Sequence, residues 1–277
     1  MQVPGTFIND ALSSSFTAAS QPHTTPAMVN FANLEKFRSS SKFNVGNVTP
    51  IAVSPFGPLG NAKAGFAYMH ADITYDKVND TKSGAPIKVP GLALVRGDSV
   101  AMLPLLHCND TDYVVMTEQA RLPIGETNYL EIPAGMADAA KGKSGYAQAI
   151  AKELEEEVGL TLDRQTEFVY VGKMVPSAGG CDERISCYWS RVRCTPDVLT
   201  YLEGSIGGSL EENEQITARV MPLSTVRSKI LDGTLTDAKL ITTLWFYDNK
   251  PELHKWSCDR TLTLGPSGKP QLSSSTL

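Results

Sequence analysis

The stretch from Ala147 to Gly159 constrains this chain most. Ala147, Ile150, Ala151, Leu154 and Val158 recur at steps of three and four, the period of one apolar helix face, and Gly159 stands where a left-handed cap would end the helix. The same segment carries Glu153, Glu156 and Glu157 at i, i+3 and i+4, which projects three carboxylates from one side. Like charges so placed destabilise an isolated helix. A solvated acidic face is the ordinary meaning of such a run. A hard divalent cation, which needs several carboxylate oxygens, would instead offset the repulsion.

Strand-like segments flank the helix. Gly91–Val95, Ser99–Leu106, Tyr113–Glu118 and Asn128–Ile132 precede it, and Phe168–Met174, Ile185–Val192 and Ile216–Leu223 follow, before helices around Thr225–Leu231 and Asp237–Tyr247. A mostly antiparallel or mixed sheet is expected. Upstream, Gly65–Tyr75 is rich in β-formers and Asn79–Pro86 supplies turn residues, a hairpin-like entry. Residues 1–45, rich in Ser, Thr, Ala and Asn, read as a loose arm with a short helix at Phe31–Arg38, and the tail after Arg260 as a frayed end. The expected organisation is an arm at 1–45, an N-terminal β region at 46–90, a main domain at 91–262 and a flexible tail at 263–277.

Composition excludes several function classes. With 42% hydrophobic and 20% charged residues in 277, the chain matches a folded globular protein. A net charge of −5 provides no basic field for nucleic acid or anionic lipid, so a polyanionic substrate would need another source of neutralisation. No run approaches the roughly 18 charge-free apolar residues of a membrane span. The first basic residue is Lys36, so the start lacks the basic residues of a secretory signal or presequence, and a cytoplasmic address is expected. The five cysteines contain no C-x-x-C pair and read as reduced thiols; the four histidines show no ligand spacing. Gly142-Lys143-Ser144 matches the end of a Walker A loop, but Ala137 occupies its first glycine position, and the segment reads as a flexible loop. Neither G-x-S-x-G nor G-x-G-x-x-G occurs.

The segment Gly135 to Leu160 resembles the Nudix box, G-x5-E-x7-R-E-U-x-E-E-x-G-U with U aliphatic. Lys152 to Leu160 fits its second half everywhere except Lys152, where the box has Arg. In the first half three residues are inserted and Ser144 stands in place of the first Glu. Thr117-Glu118-Gln119-Ala120-Arg121 and Leu130-Glu131-Ile132-Pro133-Ala134-Gly135 resemble the E-Q-x-R and E-[IL]-P-A-G elements of the ADP-ribose and nucleotide-sugar pyrophosphatase branch. Ser177–Arg184 is similar to its S-P-G-G-x-x-E loop, with Ala178 for Pro, and Glu212-Asn213-Glu214-Gln215-Ile216 to its E-N-E-x-I loop.

The resemblance implies a Nudix α/β/α sandwich, a mixed β-sheet between helices, with an N-terminal β region that pairs subunits into a homodimer. It implies Mg²⁺, or Mn²⁺, held by Glu153, Glu156, Glu157, the Ala134 carbonyl and, as an additional ligand, Glu214. Glu212 is then the general base, with a box glutamate as the alternative. Arg121 becomes a phosphate or substrate contact, against a plain surface ion pair, and Glu183 a lining residue of the substrate site, against an incidental acid in a turn. The implied reaction cleaves a nucleoside diphosphate sugar, ADP-ribose or an ADP-sugar, into a nucleoside monophosphate and a sugar phosphate. A UDP-glucose pyrophosphatase is the nearest alternative. A non-catalytic nucleotide-sugar sensor is the other, motivated by Lys152 and Ser144. An RNA-decapping enzyme is disfavoured by the acidity of the chain.

Overall fold

The computed structural model describes residues 36–53, 67–79, 81–137, 142–162, 166–208 and 214–273. The chain enters through β1 (Phe43–Val53), β2 (Ala67–Asn79), β3 (Pro86–Val89) and β4 (Leu92–Val95). It continues through β5 (Ser99–Cys108), β6 (Thr111–Arg121), β7 (Glu126–Glu131), β8 (Ala134–Met136) and helix α1 (Gly142–Val158). Strands β9 (Val169–Met174) and β10 (Ile185–Cys194) follow, then α2 (Pro196–Leu202), β11 (Ile206–Gly207) and β12 (Ile216–Pro222). Helices α3 (Leu223–Leu231) and α4 (Ala238–Asn249) and strands β13 (Thr261–Leu264) and β14 (Pro270–Leu272) complete it.

Strands β1–β4 form a small antiparallel sheet. The remaining ten strands form a mixed sheet in the order β11-β12-β6-β5-β10-β13-β14, with β7 on β6, β8 on β5 and β9 on β10. At its centre β5 and β10 run parallel, in register from Ser99↔Ile185 to His107↔Arg193. Successive strand side chains point to opposite faces, so Val100, Met102 and Leu106 pack with α1 and α2, whereas Ala101, Leu103 and Leu105 pack with α3 and α4. All six are at most 2% exposed, which explains why β5 reads as a continuous apolar run. Helices cover both faces, the α/β/α sandwich expected.

Ile150, Leu154 and Val158 of α1 are at most 1% exposed and bury the predicted apolar face. Full burial of a residue such as Leu154 contributes about 1.5–3 kcal/mol. Gly159, with φ +68°, ends the helix as predicted, its N–H on the Glu155 carbonyl. The helix starts earlier than its apolar period shows. Gly142–Gly145, expected as a flexible loop, belong to α1; the sequence hides this because Gly and Lys carry no apolar signal into that turn.

The tail after Arg260 also differs from expectation. Strands β13 and β14 form a hairpin across the 262/263 boundary, β13 lies parallel to β10, and Leu262 is fully buried. Both strands are too short for a period of two to show. Helix α2, seven residues long, escapes the sequence reading for the same reason. Of the expected arm, residues 1–35 lie outside the described residues, Lys36–Arg38 are helical and β1 begins at Phe43.

Candidate functional site

Helix α1 lays two of its glutamates against β8. Glu153 reaches Gly135 so closely that a Cβ there would lie 1.9 Å from its Oε1. Glu157, 4% exposed, accepts a hydrogen bond from the Ala134 N–H, and its Oε2 has no partner among the described residues. Burial, then the charges of Glu153, Glu131 and Glu214, push the Glu157 carboxyl well above the usual carboxylate range. Glu156 turns instead to Lys152, whose Nζ lies 2.7 Å from its Oε2. Among the described residues no three acidic, histidine or cysteine side chains stand close enough together to hold a metal ion. Glu212 lies outside the described residues.

The donor set nevertheless fits a hard cation. An orphaned, buried carboxylate oxygen beside a second carboxylate costs free energy that a divalent ion would offset. A third oxygen comes from the strand geometry. Met102 N–H bonds to the Pro133 carbonyl and Ala137 N–H to the Asp98 carbonyl, so Ala134, opposite Ala101, falls between hydrogen-bonded pairs. Its amide and carbonyl therefore point away from β5, to the side where its N–H meets Glu157.

Ala134 and Gly135 line a cavity of about 440 Å³ together with Arg96, Arg121, Glu183 and Lys239. Glu131, 3% exposed, forms part of the wall. Its Oε1 accepts from Arg121 Nε at 2.6 Å and its Oε2 from Lys239 Nζ at 2.8 Å. Burial alone would lower the Arg121 pKa, but the hydrogen bond and charge of Glu131, with the fields of Glu157 and Glu214, raise it. Glu183, 7% exposed, accepts from Ser99 Oγ at 2.7 Å and lies 3.4 Å from Arg96 Nε. Asp237 caps α4 by accepting from the Lys239 and Leu240 amides, and its Oδ2 takes the Ile132 N–H at 3.0 Å.

The cavity thus brings together Arg121, Glu183 and Ala134, and Glu153 and Glu157 contact its lining residues Gly135 and Ala134. Glu214 is half-buried and near enough for its charge to act on Arg121 and Glu157. Sequence reasoning missed Arg96, Ser99, Asp237 and Lys239 as site residues. Glu131 stands out in the sequence only as part of a motif. Arg96 and Ser99 had a signal in their place beside the β4–β5 turn; Lys239 had none, since a lysine after a helix cap looks like ordinary surface.

The NUDIX domain family profile matches residues 95–244, from the end of β4 into α4. The chain belongs to the Nudix family. Over 194 residues it is 34% identical to Nudix hydrolase 14, chloroplastic, of Arabidopsis thaliana, a match covering 67% of this chain and 58% of that relative. The match thus spans less than two thirds of the relative's length. A solved structure of an ADP compounds hydrolase is similar with a TM-score of 0.46 and 15% identity, covering 76% of this chain and 96% of that one.

Proposed function

We propose that this Nudix chain hydrolyses the diphosphate bond of nucleoside diphosphate sugars, ADP-ribose and ADP-sugars foremost, with Mg²⁺ or Mn²⁺. The observation that carries the proposal is the cavity wall on which Arg121 stands beside Ala134 and Gly135, the two residues against which the Glu157 and Glu153 carboxyls lie. A cation for a phosphate and a carboxylate pair for a divalent ion are the two parts that diphosphate chemistry needs.

Glu153, Glu157 and the Ala134 carbonyl would hold the ion, with Glu156 and Glu214 as further ligands. The bound ion supplies charge neutralisation at the diphosphate and acidifies a water. Arg121 binds a phosphate oxygen, and Glu183 lines the sugar side of the cavity. Glu212, or a box glutamate, takes the proton of the water that attacks phosphorus. The P–O–P bridge breaks, leaving a nucleoside monophosphate and a sugar phosphate. The adenine preference rests on the resemblance of Thr117–Arg121, Leu130–Gly135 and Glu212–Ile216 to the ADP-ribose branch. We likewise propose that the β1–β4 sheet, with Ile51, Tyr68 and Leu92 more than half exposed, pairs two copies of the chain.

One observation favours the sensor reading: Lys152, in place of the box arginine, pairs with Glu156 at 2.7 Å. Incubation with ADP-ribose, ADP-glucose and UDP-glucose, with and without Mg²⁺, followed by mass analysis of products, separates the readings. Metal-dependent monophosphate release is expected, fastest from the ADP compounds. Binding without release from any of the three, with Mn²⁺ also tried, would replace the hydrolase with the sensor.

A further inference from the structure

Lys239 sits at an electrostatically awkward place. As the second residue of α4 it lies at the positive end of the helix dipole, where a cation is disfavoured. Its side chain is also only 16% exposed. Two carboxylates hold it there, Asp237 Oδ1 at 2.9 Å and Glu131 Oε2 at 2.8 Å. Asp237 needs no lysine, because it already caps the helix and holds the Ile132 N–H.

Glu131 divides its two oxygens between two cations, Oε2 to Lys239 and Oε1 to Arg121 Nε. The Nε edge of the Arg121 guanidinium is thereby pinned. Among the described residues its two terminal nitrogens make no hydrogen bond, and the side chain remains 41% exposed on the cavity. A guanidinium held at Nε keeps its paired terminal donors for a bidentate phosphate contact. Without Lys239, Glu131 Oε2 would compete for those donors, since a buried carboxylate oxygen takes whatever cation is near.

We propose that Lys239 is a positioning residue: by occupying Glu131 Oε2 it confines Arg121 to a single-edge contact with Glu131 and turns the free fork of Arg121 toward the phosphates of a nucleoside diphosphate. This rests on the substrate class proposed above, though not on its hydrolysis. The arrangement makes Lys239 act through Arg121, so the two residues form one unit rather than two independent contributions.

The test is a double-mutant cycle of Arg121→Ala and Lys239→Met, read as ADP-ribose affinity by calorimetry in the presence of EDTA. Each single variant weakens binding by about tenfold, the scale of one charge-assisted hydrogen bond, and the double variant is no weaker than Arg121→Ala alone. In turnover assays Lys239→Met raises KM while kcat stays within about twofold, as loss of uniform binding requires. Lys239→Gln, which still donates to Glu131, restores part of the affinity and serves if Lys239→Met does not fold. Effects that multiply in the double variant would overturn the positioning role. So would an affinity loss in Lys239→Met that merely follows its lowered Tm. A wild type that binds ADP-ribose but does not cleave it when Mg²⁺ or Mn²⁺ is supplied removes the proposed hydrolysis and leaves the positioning role standing. One that binds none of the three nucleotide sugars, either in EDTA or with Mg²⁺ supplied, overturns both.

Discussion

The Glu153 carboxylate occupies the space where any side chain at Gly135 would stand, with Oε1 1.9 Å from an ideal Cβ position. The obstructing atoms belong to the end of a flexible side chain, so Gly135→Ala displaces the carboxylate and leaves the backbone in place. Misplacement of a ligand group by about 1 Å costs roughly 10²-fold in rate. Metal-dependent hydrolysis by Gly135→Ala should fall by about that factor while Tm changes little. A variant with full activity would show that Glu153 does not need its observed position.

Gly207 makes the opposite kind of contact. A Cβ there would lie 2.3 Å from the Glu157 carbonyl oxygen and 2.6 Å from that of Glu156, both backbone atoms at the end of α1. Nothing can swing aside, and Gly207→Ala should cost about 1–3 kcal/mol. Urea denaturation checks this, and a midpoint equal to the wild type's would contradict the packing.

Glu157 sets a pH dependence. Its native pKa lies above the unfolded value of about 4.3, so between the two the native state binds more protons than the unfolded chain. Its contribution to stability is therefore present below the ordinary carboxylate range and is lost as pH rises through the raised value. A divalent cation binds the ionised form, so the Tm gain from Mg²⁺ should grow as pH rises through the raised value. Glu157→Gln should lose both the slope and most of the gain. Parallel Tm–pH curves for the two proteins would refute the assignment.

Leu262 tests the C-terminal hairpin. It is fully buried in the core that also holds Val192 and Leu202, so Leu262→Ala should cost about 2–5 kcal/mol. Guanidinium titration reads this directly, and a frayed tail would give no change.

What the sequence made legible follows from periodicity. Helix α1 shows its period because Ile150, Leu154 and Val158 all face one core, and β5 shows as a strand because both of its faces are buried. The carboxylates of α1 stood out by spacing, yet spacing could not show that Glu156 turns to Lys152 while Glu157 is buried against Ala134, since each choice depends on neighbours from other elements. Thr261–Leu264 earns its strand from the neighbouring β10, not from its own four residues. Lys239 was illegible because its meaning lies in Glu131, 108 positions earlier.

The parallel pairing of β5 with β10 has a consequence for how the molecule is made. Ser99 and Glu183 meet across 84 positions, and Ile132 and Asp237 across 105. Chain closure over such lengths is slow, and a chain emerging from the ribosome presents the apolar residues of β5 long before their partner strand exists. No amino-terminal fragment that stops before Arg193 contains the complete β5–β10 pairing at the centre of its own sheet, and none that stops before Lys239 contains a finished cavity. Synthesis into the first turn of α4 therefore precedes completion of the cavity, and β5 is the segment that a chaperone would have to shield until its partner strand is made.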